Sequence, residues 1–321
     1  MRSCHIRIVP TDSEILEQAR ASQSSVLVIS ELERAAITVA GKDRTSWLNG
    51  LVTCDLAKLG PKDGAYGLLV EKKGHIKADL FIVPGMLRTG EPALAVAVPR
   101  DARDEIFAIL DHHVIMEDVE LGTEELAFFA AHGPRALELA SVVGDIVLGF
   151  RGVLDLLGTG GAVMAVAASA RAEIETELAA EATRLGGVMG NRAGWDAVRI
   201  ERGLPRFGVE FDTTHYPQEA SLEKLAVSFS KGCYLGQEVV YMLENRGHVK
   251  RKLVSLDVEG NAPPLPGTPI TTPEGEAIGD VKSAAIAPLS GKVVAIAMVK
   301  WSASKGGTAL RVDGRVARVR A

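Results

Sequence analysis

Apolar and polar residues alternate with a period of two in several stretches of the first half of the chain, and between them the spacing lengthens to that of a helix. Ile37 and Val39 flank Thr38 ahead of Gly41, the pattern of a strand running into a turn. Residues 42–49 then read as a short helix carrying Trp47 and Leu48. Ala65 to Val70 and Ile76 to Val83 form two strand-like runs around Glu71-Lys72-Lys73-Gly74, a hairpin turn. In the second run Ile76, Leu80 and Ile82 share one face and Lys77, Asp79 and Phe81 the other, so Asp79 points away from the principal apolar stripe. Ala93 to Val98 is a further strand. Asp101 offers an N-cap, with Asp104 and Glu105 in the first turn of a helix whose face is Ala102, Ile106, Ile109, Leu110 and His113. Val114 to Val119 and Glu125 to Ala131 return to strand composition, and Gly133-Pro134 precedes a short helix.

A similar succession runs from Gly152 to about Ile200. Val153 to Leu157 and Ala162 to Ala168 read as strands. A helix follows with Ile174, Leu178, Ala182 and Leu185 in line, stopped by Gly186-Gly187. After Lys252, prolines at 263, 264, 266, 269 and 273 separate short apolar runs, the composition of a small antiparallel barrel. The expected fold is therefore α+β: two ferredoxin-like α+β lobes over residues 1–250, dividing near 145, and a C-terminal β-barrel over 251–321.

With 321 residues, the chain is long enough for two or three lobes. Hydrophobic residues make up 47% and the formal charge is −5, which argues against a broad nucleic-acid surface, since phosphate binding draws on a basic excess. The N-terminal ten residues lack a signal-peptide pattern, and the longest apolar runs fall far short of the roughly 20 residues that span a bilayer. A cytoplasmic protein without membrane contact is expected. Three cysteines, at 4, 54 and 233, are too few and too scattered for a disulfide framework or a cysteine-ligated metal site within the chain. No metal site is expected.

Three stretches invite a chemical reading. Gly158-Thr159-Gly160-Gly161 lacks the third glycine of a dinucleotide fingerprint and continues as a strand, so it reads as a hairpin turn. His112-His113 lie side by side on a helix, pointing apart, and suit a helix C-terminus better than a metal. Ser228 to Arg251 is richer. Lys231-Gly232-Cys233 precedes a helix expected from Leu235 to Asn245. The helix dipole and the Lys231 charge would both favour a Cys233 thiolate. Cys4 and Cys54 fit the commoner role of a small buried hydrophobe. Gln237 and Glu238 fall in the first turn, and Arg246, His248, Lys250 and Arg251 make a basic turn that is either solvated or an anion receptor.

Lys231-Gly232-Cys233-Tyr234-Leu235-Gly236-Gln237-Glu238, followed by Arg246-Gly247 and Lys250-Arg251, resembles the defining motif of the YgfZ proteins, tetrahydrofolate-binding relatives of the glycine-cleavage T-protein. Gly41-Lys42-Asp43, Leu51-Val52-Thr53-Cys54-Asp55, Gly64-Ala65-Tyr66, Gly133-Pro134-Arg135-Ala136 and Arg199-Ile200-Glu201-Arg202-Gly203-Leu204-Pro205 extend the resemblance over nearly the whole chain. It implies a three-lobed ring with tetrahydrofolate, or a one-carbon derivative of it, in the centre. Glu201, on its residues alone a surface acid beside Arg199 and Arg202, would then meet the pterin. Tyr66 would pack near the pterin or aminobenzoyl ring, and Gln237 and Arg246 are candidates for the folate tail. Aminomethyl-transferring T-proteins carry two adjacent aspartates where this chain has Ala78 and Asp79, which weakens the case for that reaction.

The resemblance thus implies a folate-dependent accessory factor for the assembly or repair of iron–sulfur enzymes, with Cys233 as a reactive thiol supported by Lys231, and Asp79 near the chemistry. Its partners would be folate and iron–sulfur enzymes or their assembly proteins. An aminomethyltransferase, and a scaffold that keeps the fold without folate, are the alternatives.

Overall fold

A computed structural model describes residues 12–143 and 149–321. Cys4 and the expected division near 145 lie outside the described residues. Helix α1 (Asp12–Ser24) leads into strands β1 (Leu27–Ser30) and β2 (Arg34–Ala40), and α2 (Arg44–Asn49) precedes the hairpin of β3 (Ala65–Val70) and β4 (Ile76–Met86). Next come β5 (Pro92–Pro99), α3 (Arg103–Asp111), β6 (Glu120–Gly122), β7 (Leu126–His132) and α4 (Ala136–Ala140). Further on lie β8 (Gly149–Val153), β9 (Gly161–Ala167), α5 (Arg171–Arg184), β10 (Val188–Met189), α6 (Arg192–Glu201), α7 (Glu223–Ala226) and α8 (Gln237–Asn245).

The two α+β lobes share one ten-stranded sheet in the order β10-β1-β7-β9-β8-β4-β5-β2-β6, with β3 also on β4. Among the described residues, Gly85 of β4 pairs with Phe150 of β8 at the join, and an isolated bridge between Asp63 and Val153 adds to it. A side chain at Gly85 would stand 2.3 Å from the Gly149 carbonyl, so the close approach of the half-sheets requires glycine there. The lobes interleave along the chain, because β1 and β7 pair into the half-sheet completed by β8 to β10. Strands β11 (Arg251–Val258), β12 (Pro269–Thr271), β13 (Ala277–Ile286), β14 (Val293–Lys300), β15 (Ala309–Val312) and β16 (Arg315–Val319) close an antiparallel barrel.

Alternation along each strand sends side chains to two different cores. On the outer face, Ala78, Leu80 and Ile82 of β4 pack with Leu48 of α2 and Ile106 and Leu110 of α3. The second half-sheet does the same with Leu139 of α4 and Ile174 and Leu178 of α5. On the inner face Tyr66, Phe81 and Val83 join Phe128, Phe150 and Val163, and this core continues through Phe211 and Leu222 into Leu253, Ile296 and Met298 of the barrel. Among the described residues, no helix is long and apolar enough to cross a membrane.

Several local expectations shift. Residues 114–119 form a looped turn, not a strand, because the Ile115 and Met116 amides are capped by the Glu117 carboxylate and leave no ladder. Asp101 sits within a 3-10 turn (Arg100–Ala102), so Ala102 takes the cap position of α3. The strand expected at Val153 to Leu157 lies earlier, as β8, and residues 154–160 are its turn. There the Asp155 carboxylate accepts from the amides of Leu157, Gly158, Thr159 and Gly160, so the glycine-rich turn is filled by its own acid. Helix α8 begins two residues after Leu235, because Gly236, its N-cap, is in the left-handed region at φ 77°.

Candidate functional site

The inner face of β3 and β4 opens into a cavity between the sheet and α6, with about 610 Å³ of atom-free space including its mouth. Tyr66 and Phe81 are direct cross-strand partners in the β3–β4 hairpin, and Asp79 stands two residues before Phe81 on the same face. Arg34, the first residue of β2, crosses to them. Its Nη1 and Nη2 donate to Oδ1 and Oδ2 of Asp79, both at 2.8 Å, and Nη1 also donates to the Asp79 carbonyl at 2.9 Å. The Tyr66 hydroxyl donates to Oδ2 at 3.1 Å, and the guanidinium carbon lies 4.4 Å from the Phe81 ring centre. Asp79 is 3% exposed. Burial works against the Arg34 charge, but the bonded carboxylate outweighs it and raises the guanidinium's pKa. Burial, then the Asp79 charge, pushes the Tyr66 phenol well up, so it remains a donor at neutral pH.

The opposite wall comes from α6 and the segment after it. Trp195 and Arg199 are four residues apart and share a helix face. Arg199 donates to Asp196 at 2.6 Å and to the buried Glu210 at 2.9 Å. Arg206 and Phe207 follow, and Glu31, Glu33 and Arg192 stand at the rim with Glu33 and Arg192 paired at 2.8 Å. Behind Trp195, the fully buried His132 ring stacks on the indole at 4.3 Å.

Of the expected site residues, Tyr66 and Asp79 come together in this cavity. Glu201 does not line it. It ends α6 on the barrel side, where its carbonyl accepts from Arg320, and burial raises the pKa of its carboxyl. Cys233, Lys231, Gln237 and Arg246 also stand outside the cavity lining. Cys233 is exposed in the turn before α8, and Arg246 is exposed at that helix's C-cap. The Lys231 ammonium turns inward and donates to the carbonyls of Asn49 and Cys54 at 2.6 Å and Val52 at 2.8 Å. Burial lowers its pKa to about 8. The expected support of a Cys233 thiolate by Lys231 is therefore replaced by a tether between the Cys233 segment and the 49–54 loop. The buried Cys54 thiol is pushed up to about 12 by burial and is unreactive as a nucleophile at neutral pH.

Lys231→Met should accordingly cost about 2–4 kcal/mol of stability, since it strips a charged donor from three carbonyls. It should leave the rate of Cys233 alkylation within about twofold. A tenfold drop in that rate, with the fold intact, would return Lys231 to the thiol's side.

Arg34, Phe81, Trp195, Arg199, Arg206, Phe207 and Glu31 were not picked out from sequence. Helical spacing from Trp195 points to Arg199, whereas Glu201, two residues on, is turned about 200° round the helix. The Ala78 side chain lies in the outer core, so that position does not set the number of carboxylates in the cavity.

A ten-stranded mixed sheet, a six-stranded antiparallel barrel, and an aromatic, charge-lined cavity between the sheet and α6 set the architectural class of the chain. Residues 10–149 match the GCVT N-terminal domain and residues 251–321 the glycine cleavage T-protein C-terminal barrel domain. The chain belongs to the glycine-cleavage T-protein family. It is 27% identical to an aminomethyltransferase of Herpetosiphon aurantiacus, covering 96% of this chain and 88% of the relative. It is likewise 27% identical to the "tRNA-modifying protein YgfZ" of Aliivibrio fischeri, covering 77% and 76%. The aminomethyltransferase T of the Bartonella henselae glycine cleavage system superposes with a TM-score of 0.79 at 19% identity, over 96% of this chain and 88% of that one, which establishes the shared fold.

Proposed function

We propose that the cavity binds a reduced folate, with Tyr66, Phe81 and Trp195 as its aromatic walls and Asp79 as its fixed acceptor, and that the protein is a folate-binding accessory factor for iron–sulfur enzymes. The observation that carries this reading is the clamp on Asp79. Both of its oxygens already accept from the Arg34 fork, and one also accepts from Tyr66. Such a carboxylate orients a ligand well, but a general base must swing or relay a proton at the reacting nitrogen. Cys233 faces solvent on a tethered turn, away from the cavity lining. Its thiol is thus suited to a partner protein's sulfur more than to a folate-linked carbon.

Tetrahydrofolate added to the protein should quench Trp195 fluorescence saturably, with Trp195→Phe as the control for the other two tryptophans. Cys233→Ala should keep that titration and fail to restore iron–sulfur enzyme activity in cells lacking their own homologous factor. Absence of saturable binding by any reduced folate ends the reading. The aminomethyltransferase reading is favoured by the near full-length match to such enzymes and by a carboxylate inside the cavity. Folate-dependent ammonia release from an aminomethyl-lipoyl donor would establish it in place of the first.

A further inference from the structure

Four arginines and three carboxylates line one cavity, and most of them satisfy one another. Arg34 holds Asp79, Arg192 holds Glu33, and Arg199 is bonded to Asp196 and Glu210 just behind the wall. Two groups keep unmet hydrogen-bonding capacity. The Glu31 carboxylate has no hydrogen bond and no ion pair within 4 Å among the described residues, although the residue is partly buried at the cavity. Nε and Nη1 of Arg206 are shielded from solvent and have no hydrogen-bond acceptor among the described residues, with the Glu33 and Asp196 carboxylates 3.7 Å from Nη1. A buried donor without an acceptor costs about 1–3 kcal/mol, so a bound group that satisfies it is favoured by a comparable amount.

We infer that this cavity takes a small zwitterion of the amino-acid class, its carboxylate on Arg206 and its ammonium on Glu31, beside the Trp195 and Phe207 rings. The inference rests on the reading of this cavity as the ligand site and adds a second ligand class to it. A purely anionic ligand would satisfy Arg206 but bring a second negative charge towards Glu31. A purely cationic one would leave the guanidinium unmet. A zwitterion answers both without changing the net charge of a cavity whose other ions are already paired.

L-alanine and glycine serve as probes, with acetate and methylammonium as half-ligands, in calorimetric titrations and saturation-transfer NMR on the full chain. Both amino acids should bind saturably, and each half-ligand at least tenfold more weakly. Glu31→Gln and Arg206→Leu should each weaken alanine binding tenfold or more, and Arg206→Lys should recover part of the loss. Urea denaturation checks that these variants are folded, and tetrahydrofolate titration of the parent protein reports the folate reading separately. Failure of both amino acids to bind a protein that does bind tetrahydrofolate overturns the zwitterion site and leaves the folate reading standing. Amino-acid binding without folate binding overturns the folate reading alone. Alanine affinity unchanged in Glu31→Gln and Arg206→Leu overturns the assignment to these two residues.

Discussion

Arg34→Met is expected to lower the unfolding free energy by about 3–5 kcal/mol, the cost of leaving a buried carboxylate without its cation. The Arg34 and Asp79 side chains retain 10% and 4% exposure, so solvent does little to screen the pair. Its worth comes from geometry. Two parallel N–H···O bonds join fork to carboxylate, a third reaches the Asp79 backbone, and the guanidinium lies over Phe81. Removing the arginine takes all of these at once and strands Asp79 beside the Tyr66 hydroxyl. The double variant Arg34→Met/Asp79→Leu should recover most of the loss, because an apolar pair needs no desolvated charge. Urea denaturation of the four-member cycle reads both effects. A loss below about 1 kcal/mol for Arg34→Met would show that the pair is hydrated in solution, and the fixed-acceptor role of Asp79 would go with it.

Arg34 also shows where the sequence stops being legible. Tyr66, Asp79 and Phe81 lie on one hairpin, and their shared face follows from strand alternation once the turn at Glu71 to Gly74 is recognised. Arg34 arrives from a different strand, 45 residues earlier, and nothing local marks it. The barrel was readable because proline and glycine turns separate its short strands, although only three of its six pairings, β12–β13, β13–β14 and β15–β16, join strands adjacent in the chain. The interleaving of the half-sheets was not, since β1 pairs with β7 and β10, about a hundred and more residues away. At Lys231, closeness in sequence to Cys233 does not decide where the ammonium goes. The lysine's long stem instead finds three carbonyls on the 49–54 loop. Glu201 ends α6, which presents Trp195 and Arg199 to the cavity instead.

The second large effect is expected at His132, whose ring lies behind the Trp195 wall. Both ring nitrogens are buried without a hydrogen-bond partner among the described residues, and burial lowers the imidazole's pKa from 6.5 to about 4, with Asp155 pulling the other way. The sign follows from proton counts. Above pH 6.5 the imidazole is neutral in both states and contributes no pH dependence. Between 6.5 and about 4 the unfolded chain takes up a proton that the folded chain refuses, so stability falls as pH falls. The loss should level off near about 3 kcal/mol below pH 4. Exposed carboxylates titrate in the lower part of this range, so the effect is read as the difference between the parent and His132→Phe. The phenyl ring preserves the stack on Trp195 while removing the titrating group and its unmet polar atoms. The variant should therefore match or exceed the parent's stability at pH 7 and exceed it by a further margin of about 3 kcal/mol at pH 4. Parallel pH profiles for the two proteins would mean that water or a rearranged partner reaches the imidazole. In that case Trp195, which rests on it, would not be the rigid wall on which the ligand cavity depends.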